Sequence, residues 1–366
     1  MCKDAVPAIP AQVPTRYIEL PMCIARRWSA MALTASSLGT ILAPHSASAQ
    51  TSDTVFARRQ PINMYIGYAP GGSYDLYGRL LARHLTKHLP NQPPVLPQNM
   101  PGAGSLQAAN FLYGVAPKDG TAIAVVAETI PLEQALKNPG VQYDALKFTY
   151  LGRIASSNNV HLVWHTAKAQ SVADTLHTEM AVAGTGPANI AEIIPKLLNA
   201  IEGTKFKVIS GYPSSGPAML AMERGELDGT GTSWAIVKAQ KQDWLNLKKV
   251  KIILQVLPER SAELPQVPAL GEYGKTAEDK QILRLYASGG ALGRYVVAAP
   301  DLATDVAKAL RDGFEKTMKD PEFLAECAKA NLDVDPAPHE KLLEVARRTL
   351  DVSDAIRLRV REIFKQ

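Results

Sequence analysis

Residues 65–85 read YIGYAPGGSYDLYGRLLARHL, an apolar run that enters Pro70-Gly71-Gly72 and leaves as a helical pattern. A strand that turns through two glycines straight into a helix leaves the first-turn N–H groups unpaired and reachable. No Cβ keeps a ligand away from the backbone there. The helix dipole adds partial positive charge at that end, so the corner suits a carboxylate or another small anion. Each charge-assisted hydrogen bond to such an anion is worth about 1.5–3 kcal/mol before entropy is subtracted. The same residues also read as a tight turn, with Ser73 as N-cap and Asp75 complementing the dipole. Asp75 would repel an anion unless its carboxylate turns away. The residues alone leave both readings open.

The rhythm around this corner sets the fold class. INMYIGY precedes a helix from Ser73 to about Leu89, PVLPQNM precedes SLQAANFLYGV, and TAIAVVA precedes PLEQAL. This order predicts a mostly parallel sheet with helices on both faces. FTYLGRIA and VHLVWH then follow with no helix between them, which marks a crossing into a second domain. A new set begins with EMAVAG before PANIAEIIPKLLNAI, KFKVIS before GPAMLAMERG, and ELDGTG before SWAIVKAQKQ, and VKIILQV is a further strand. GRYVVAAP reads as a strand returning to the first domain, followed by helices over 302–318, 321–331 and 337–365. The expected division is 57–156 with 287–366 as domain 1 and 157–286 as domain 2.

Two more junctions share the chemistry of the first. Thr185-Gly186-Pro187 opens a helix with Asn189 in its first turn, and Ser214-Ser215 precede Gly216-Pro217. Strand-to-helix junctions gather at the carboxyl edge of a parallel sheet, where open α/β folds bind ligands. Two such edges facing each other make a cleft suited to a small molecule.

The first fifty residues have a different character. Arg26-Arg27 precede WSAMALTASSLGTILAP and then SASAQ, with Ala47 and Ala49 in an A-x-A pattern. That order predicts a secretory signal with cleavage after Ala49, and hence a periplasmic protein. The run is too short and too rich in Ser and Thr to span a bilayer. Residues 1–21 read as an upstream extension, since Met22 would give a signal of ordinary length, and the general secretory route is expected. Cleavage removes four basic and two acidic groups and lowers the net charge from +5 to +3. That balance, with no basic cluster among aromatics, argues against a nucleic-acid partner. Cys2 and Cys23 leave with the signal, and Cys327 in PEFLAECAKANL reads as a buried filler. With one thiol there is no internal disulfide, so apolar cores must hold the chain together.

Three segments carry a resemblance. YAPGGSYDLYGRLLARHL, QNMPGAGSLQAANFLYGVAPKDGT and GYPSSGPAMLAMERGELDG resemble the tripartite tricarboxylate transporter receptor family, the TctC or Bug proteins, from about residue 60 onward. The resemblance implies a type II periplasmic-binding-protein-like α/β fold, with two domains closing around a ligand cleft. It also implies a small carboxylate ligand, held through backbone N–H groups and waters and handed to membrane permease subunits. Carried over residue by residue, the ligand-binding positions are Tyr68, Pro70, Gly71, Gly72, Ser73, Tyr74 and Asp75 in the first loop. Glu128 and Thr129 follow the third strand, beside Ala127. On the second domain the matching positions are Thr185, Gly186 and Asn189, then Tyr212, Ser214 and Ser215, with Asp228 bordering the cleft. Glu128 stands where the family tends to carry a small hydroxyl residue, and a carboxylate there disfavours a highly anionic ligand such as citrate. Tyr74 and Tyr77 are bulkier than usual at their positions and read either as contacts to an apolar ligand body or as helix packing.

Other constellations are set aside. His84 and His88 share a helix face at metal-ligand spacing, but without the Glu of a metalloprotease motif a solvated face is expected. His161 and His165 would lie about 13 Å apart on a strand, too far for one ion. Gly184-x-Gly186 lacks the third glycine of a dinucleotide fingerprint, and no nucleophile elbow or Walker loop is present. The expectation is therefore a monomeric solute receptor with no catalytic residue, metal or cofactor. The alternatives are a periplasmic ligand sensor for a membrane kinase, or a small-acid hydrolase or isomerase using Asp75, Glu128 and Asp228 as cleft carboxylates.

Overall fold

The computed structural model describes Phe56 and residues 60–365. The expected signal segment and its cleavage point lie outside these residues. Two sheets organise the described chain. The first has six strands in the order β11-β4-β10-β3-β1-β2, where β1 is Ile62–Ile66, β2 Val95–Asn99, β3 Ala122–Val125, β4 Thr149–Arg153, β10 Tyr295–Ala298 and β11 Ala337–Pro338. The second has five strands in the order β7-β6-β8-β5-β9. Here β5 is Asn159–Trp164, β6 Met180–Ala183, β7 Phe206–Ile209, β8 Gly229–Ser233 and β9 Val250–Gln255.

The expected two α/β lobes are present, but the sheets are mixed rather than mostly parallel. β1 pairs parallel with β2 and β3, whereas β10 runs antiparallel to both β3 and β4. In the second sheet β6 pairs parallel with β7 and β8, and β5 is antiparallel to β8 and β9. The reason is the crossing: β5 and β10 enter their sheets from the other lobe rather than through a covering helix, so they arrive reversed.

Helices cover both sheets. In the first lobe these are α1 (Ser73–Leu85), α2 (Leu106–Gly114), α3 (Ile130–Ala135), α9 (Thr304–Met318), α10 (Pro321–Lys329) and α11 (His339–Leu350). In the second lobe they are α4 (Ile190–Glu202), α5 (Ser215–Glu223), α6 (Trp234–Gln240), α7 (Gln242–Asn246) and α8 (Ala277–Ala287). Both faces of β5 are buried, Val163 in one apolar cluster and Val160 and Leu162 in the other, as the continuous apolar run requires. No helix among the described residues is long and apolar enough to cross a membrane.

Two chain segments cross between the lobes side by side. Ser157 N–H donates to the Gly290 carbonyl at 2.9 Å, and Arg294 N–H to the Ala155 carbonyl at 2.8 Å. The helix expected over 337–365 is instead two, α11 and α12 (Asp354–Lys365), separated by Asp351–Ser353. The break lets α12 leave the first lobe. Its Ile356, Val360 and Ile363, spaced along one helix face, join the cluster that includes Ile193 and Leu197 of α4 and Ile282 of α8. Arg357 Nε and Arg361 Nε donate to the Ala135 and Leu136 carbonyls at 2.7 and 3.2 Å, satisfying the open carboxyl end of α3.

His84 and His88 do not form a solvated face. His84 Nε2 lies 2.6 Å from Glu326 Oε2 and His88 Nε2 lies 2.8 Å from Asp320 Oδ2, so the pair fastens α10 to α1. Cys327 is buried, and burial pushes its thiol up to about 11, which leaves it a packing residue.

Candidate functional site

The carboxyl ends of β1, β3, β6 and β8 point at one another across the gap between the lobes, and the loops that follow them meet there. Pro70, Gly71 and Gly72 reach Ser214 and Ser215: Ser214 Oγ donates to the Pro70 carbonyl at 3.2 Å, and Ala69 N–H to the Pro213 carbonyl at 3.3 Å. On the other flank, Thr129 Oγ1 donates to the Ala188 carbonyl at 2.7 Å. Asn189 Nδ2 donates to Tyr68 Oη at 2.6 Å, and that hydroxyl donates to the Gly104 carbonyl at 3.3 Å. Backbone meets backbone below this chain. A Cβ on Gly186 would sit 2.5 Å from the Gly104 nitrogen, and one on Gly104 would sit 2.7 Å from the Ala188 carbonyl carbon. Only glycine permits that approach.

Between these contacts lies a cavity of ≈ 40 Å³. Of the residues expected at the site, Tyr68, Gly72, Ser73, Tyr74, Glu128, Thr129, Thr185, Asn189, Ser214 and Ser215 line it. Pro70, Gly71 and Gly186 instead make the rim contacts that bring the lobes together. Two carboxylates lie elsewhere. Asp75 turns inward, accepting from Gly71 N–H at 3.1 Å, Arg79 Nε at 2.8 Å and Asn99 Nδ2 at 2.8 Å, so it braces the glycine corner. Asp228 precedes β8 at the edge away from the cleft, where its Oδ2 accepts from Ala181 N–H at 2.8 Å. Tyr212 packs against the second-lobe core rather than the cavity, and its N–H donates to the Gly184 carbonyl at 3.2 Å.

The helix starts are not equivalent. α4 is capped by its own Asn189, whose Oδ1 accepts from Ala191 N–H at 2.9 Å. The cap residues Gly72 of α1 and Ser214 of α5 accept no side-chain cap bond, and both stand at the cavity. Ser73 is therefore the first helical residue and not the N-cap. Thr129 of α3 and Ser233 of α6 likewise accept no cap bond at the cavity, but those helices have only six and seven residues, so the main partial positive charge there comes from α1 and α5.

The strongest charges come from a pair only half visible in the sequence. Glu128 and Arg294 are 3% and 2% exposed and meet with Arg294 Nη1 at 3.4 Å from Glu128 Oε2. The guanidinium also donates through Nε to Ser73 Oγ at 3.1 Å and through Nη1 to Ser157 Oγ at 3.1 Å. Its plane covers the Tyr74 ring, 4.0 Å from the centroid, and that ring stacks on Tyr68 with centroids 4.7 Å apart. Glu128 Oε1 accepts from Asn159 Nδ2 across the cleft at 2.5 Å. Burial pushes the Glu128 carboxyl above its ordinary range, against the pull of Arg294, Ser157 and Asn159. Tyr74 is raised chiefly by burial and keeps its proton. Tyr77 lies off the cavity, its hydroxyl donating to the Asp333 carbonyl at 2.8 Å.

The second lobe adds residues that the sequence reading passed over. Asn159 and His161 alternate on one face of β5, and Thr232 follows Gly231 on β8; all four line the cavity. His161 Nε2 and Thr232 Oγ1 are buried with no partner among the described residues. Burial lowers His161 to about 4, so its ring is neutral at physiological pH. The available signal was the polar alternation in NNVHLVWH, in a strand otherwise apolar.

The model of the tripartite tricarboxylate transporter family receptor matches residues 78–357. The chain belongs to that receptor family. Among its relatives is a UPF0065 protein in gbd 5'region of Cupriavidus necator, 25% identical over 89% of this chain and 94% of its own. Protein BugT of Bordetella pertussis is 26% identical over 65% of this chain and 72% of its own. Among solved structures, the periplasmic binding protein BugD superposes with a TM-score of 0.65 at 18% identity, covering 83% of this chain and 98% of that one. MatC from Rhodopseudomonas palustris with bound malate gives 0.63 at 18% identity over 83% and 98%. At that identity the likeness establishes the fold, two α/β lobes about a cleft.

Proposed function

We propose that the protein is a periplasmic solute receptor that closes its two lobes on a small carboxylate-bearing molecule and delivers it to membrane permease subunits. The observation that carries this reading is the convergence of two uncapped helix starts, from α1 and α5, on one cavity shared by both lobes. Such a site gains contacts to both lobes only when they meet, so a bound solute shifts the population toward the closed form. The malate in MatC and the adipate in R. palustris Rpa4515 each carry a carboxylate, the group that two helix starts of this kind would receive. Receptor rather than enzyme fits the carboxylates. Asp75 and Asp228 are engaged by the backbone away from the cavity, and Glu128 is held by Arg294 and Asn159, so none of the three expected cleft carboxylates is free to act as a general base.

The test is a thermal-shift screen of the mature protein at millimolar concentrations of mono- and dicarboxylates, aromatic acids and amides. Binding of at least one acid is expected, followed by loss of its uptake in cells lacking this receptor. Silence across the screen overturns the reading.

A further inference from the structure

The cavity holds two charged side chains, and they cancel. Among the described residues lining it, Glu128 and Arg294 are the only Asp, Glu, Lys or Arg side chains, each almost fully buried, and they face each other at 3.4 Å. A buried guanidinium is what a receptor for a multiply charged anion would leave open, because it can meet a carboxylate with two parallel hydrogen bonds. Here its Nε is spent on Ser73 Oγ, and its Nη1 on Ser157 Oγ and Glu128, while Nη2 takes part in none of these contacts. Glu128 thus neutralises the charge that a ligand carboxylate would otherwise meet. It is kept there by a hydrogen bond from Asn159 of the opposite lobe, so closing the cleft reinforces the pairing.

What remains for a solute is one weakly positive region and one neutral polar region. The positive region lies at the uncapped starts of α1 and α5, which can compensate a single carboxylate. The neutral region lies on the second lobe, where His161 Nε2 is buried without a partner on the sheet face that Gly231 and Ala191 share. Thr232 Oγ1, also unpartnered, is on the opposite face with Val160 and is no part of it. Buried polar atoms in native structures are nearly always satisfied, so His161 Nε2 calls for a hydrogen-bonding group from the solute or from water. A second carboxylate lodged there would lose its hydration and gain a counter-charge only by protonating a buried imidazole, a larger penalty than leaving a hydroxyl or an amide there.

Resting on the receptor reading above, we infer that Glu128 is a specificity-determining residue: a resident carboxylate on Arg294 that restricts the solute to one negative charge with an uncharged, hydrogen-bonding far end. Di- and tricarboxylates are excluded although the family is named for them. The observation behind the inference is local to this chain: the Glu128–Arg294–Asn159 arrangement and the unpartnered His161 Nε2 line one cavity.

Matched pairs of probes test it by calorimetric titration at neutral pH: succinamate against succinate, adipamate against adipate, and terephthalamate against terephthalate. Each pair differs only in whether the far end is an amide or a second carboxylate. In the wild-type protein the monoanion of any pair that binds should be at least tenfold tighter. Glu128→Gln frees the guanidinium and should narrow or reverse that ratio by at least tenfold, through tighter binding of the diacid. Diacids binding as well as their mono-amides to the wild type, or an unchanged ratio in Glu128→Gln, overturns the inference and leaves the receptor reading standing. If Glu128→Gln does not fold, the wild-type ratio alone decides. Silence of every acid in the wider screen overturns the receptor reading, and this inference with it.

Discussion

Replacing Gly186 by alanine should hold the lobes apart. The added Cβ would stand 2.5 Å from the Gly104 nitrogen and 3.0 Å from its Cα, across the cleft. Ordinary contact begins near 3.4 Å, so the two loops must separate by almost 1 Å at the point where backbone now touches backbone. Backbone cannot rotate out of the way as a side chain can. Overpacking of this kind costs about 1–3 kcal/mol, and because it acts only on the closed form it is subtracted from binding. At about 2 kcal/mol the affinity for the solute drops roughly 30-fold. Gly186 also has a φ of +117°, so alanine there strains the backbone in every conformation. Gly203→Ala supplies the control, since Gly203 has a φ of +84° with nothing near its Cβ position. Both variants should lose stability, and only Gly186→Ala should lose affinity by calorimetry and show a larger radius of gyration by X-ray scattering in the presence of solute. Equal affinity in the two variants would refute the reasoning.

Two further perturbations follow from contacts already described or adjacent to them. Lys238 on α6 lies 2.9 Å from Glu263 in its own lobe and 2.9 Å from Asp333 in the first lobe. Lys238→Ala should weaken closure by about 0.5 kcal/mol, roughly a twofold loss of solute affinity at low salt that fades at 0.5 M salt; an effect insensitive to salt would assign the loss to packing. Glu133 on α3 is buried with one hydrogen bond, from Asn138 Nδ2 at 2.6 Å, and burial raises its carboxyl from 4.5 to about 7. Ionisation above that value disfavours the folded state, so this residue's contribution to stability falls as pH rises through 4.5 to 7 and stays low beyond. Glu133→Gln should therefore raise the stability at pH 8 by on the order of 3 kcal/mol, seen as a higher melting temperature, with little change at pH 4.5; equal shifts at both values would show that ionisation is not the cause.

The sequence made the first lobe's corner legible because its information is local. Pro70-Gly71-Gly72 needs only its neighbours to become a strand-to-helix turn, and it does so with a φ of +91° at Gly71. Asp75 was open to two readings because its role depends on Asn99 and Arg79, and only the folded loop shows that the carboxylate turns inward. Arg294 was not legible at all. It stands 166 residues from Glu128, immediately before β10, whose hydrophobic pattern announces burial and says nothing of a partner. His161 and Asn159 were within reach, since two polar residues on one face of a central strand need a reason. The C-terminal helices show the limit of periodicity: the amphipathic pattern continues through Asp351–Ser353, and what breaks it is the pull of a second core.

That second core has a consequence for how the molecule is made. The face formed by α4 and α8 stays greasy until Ile356, Val360 and Ile363 arrive to cover it. A chain emerging amino end first therefore carries this face uncovered from the completion of α8 until α12 follows, an adhesive surface for which holdase protection is the natural remedy. Folding from the amino end cannot finish this molecule, and the last helix acts as its stopper.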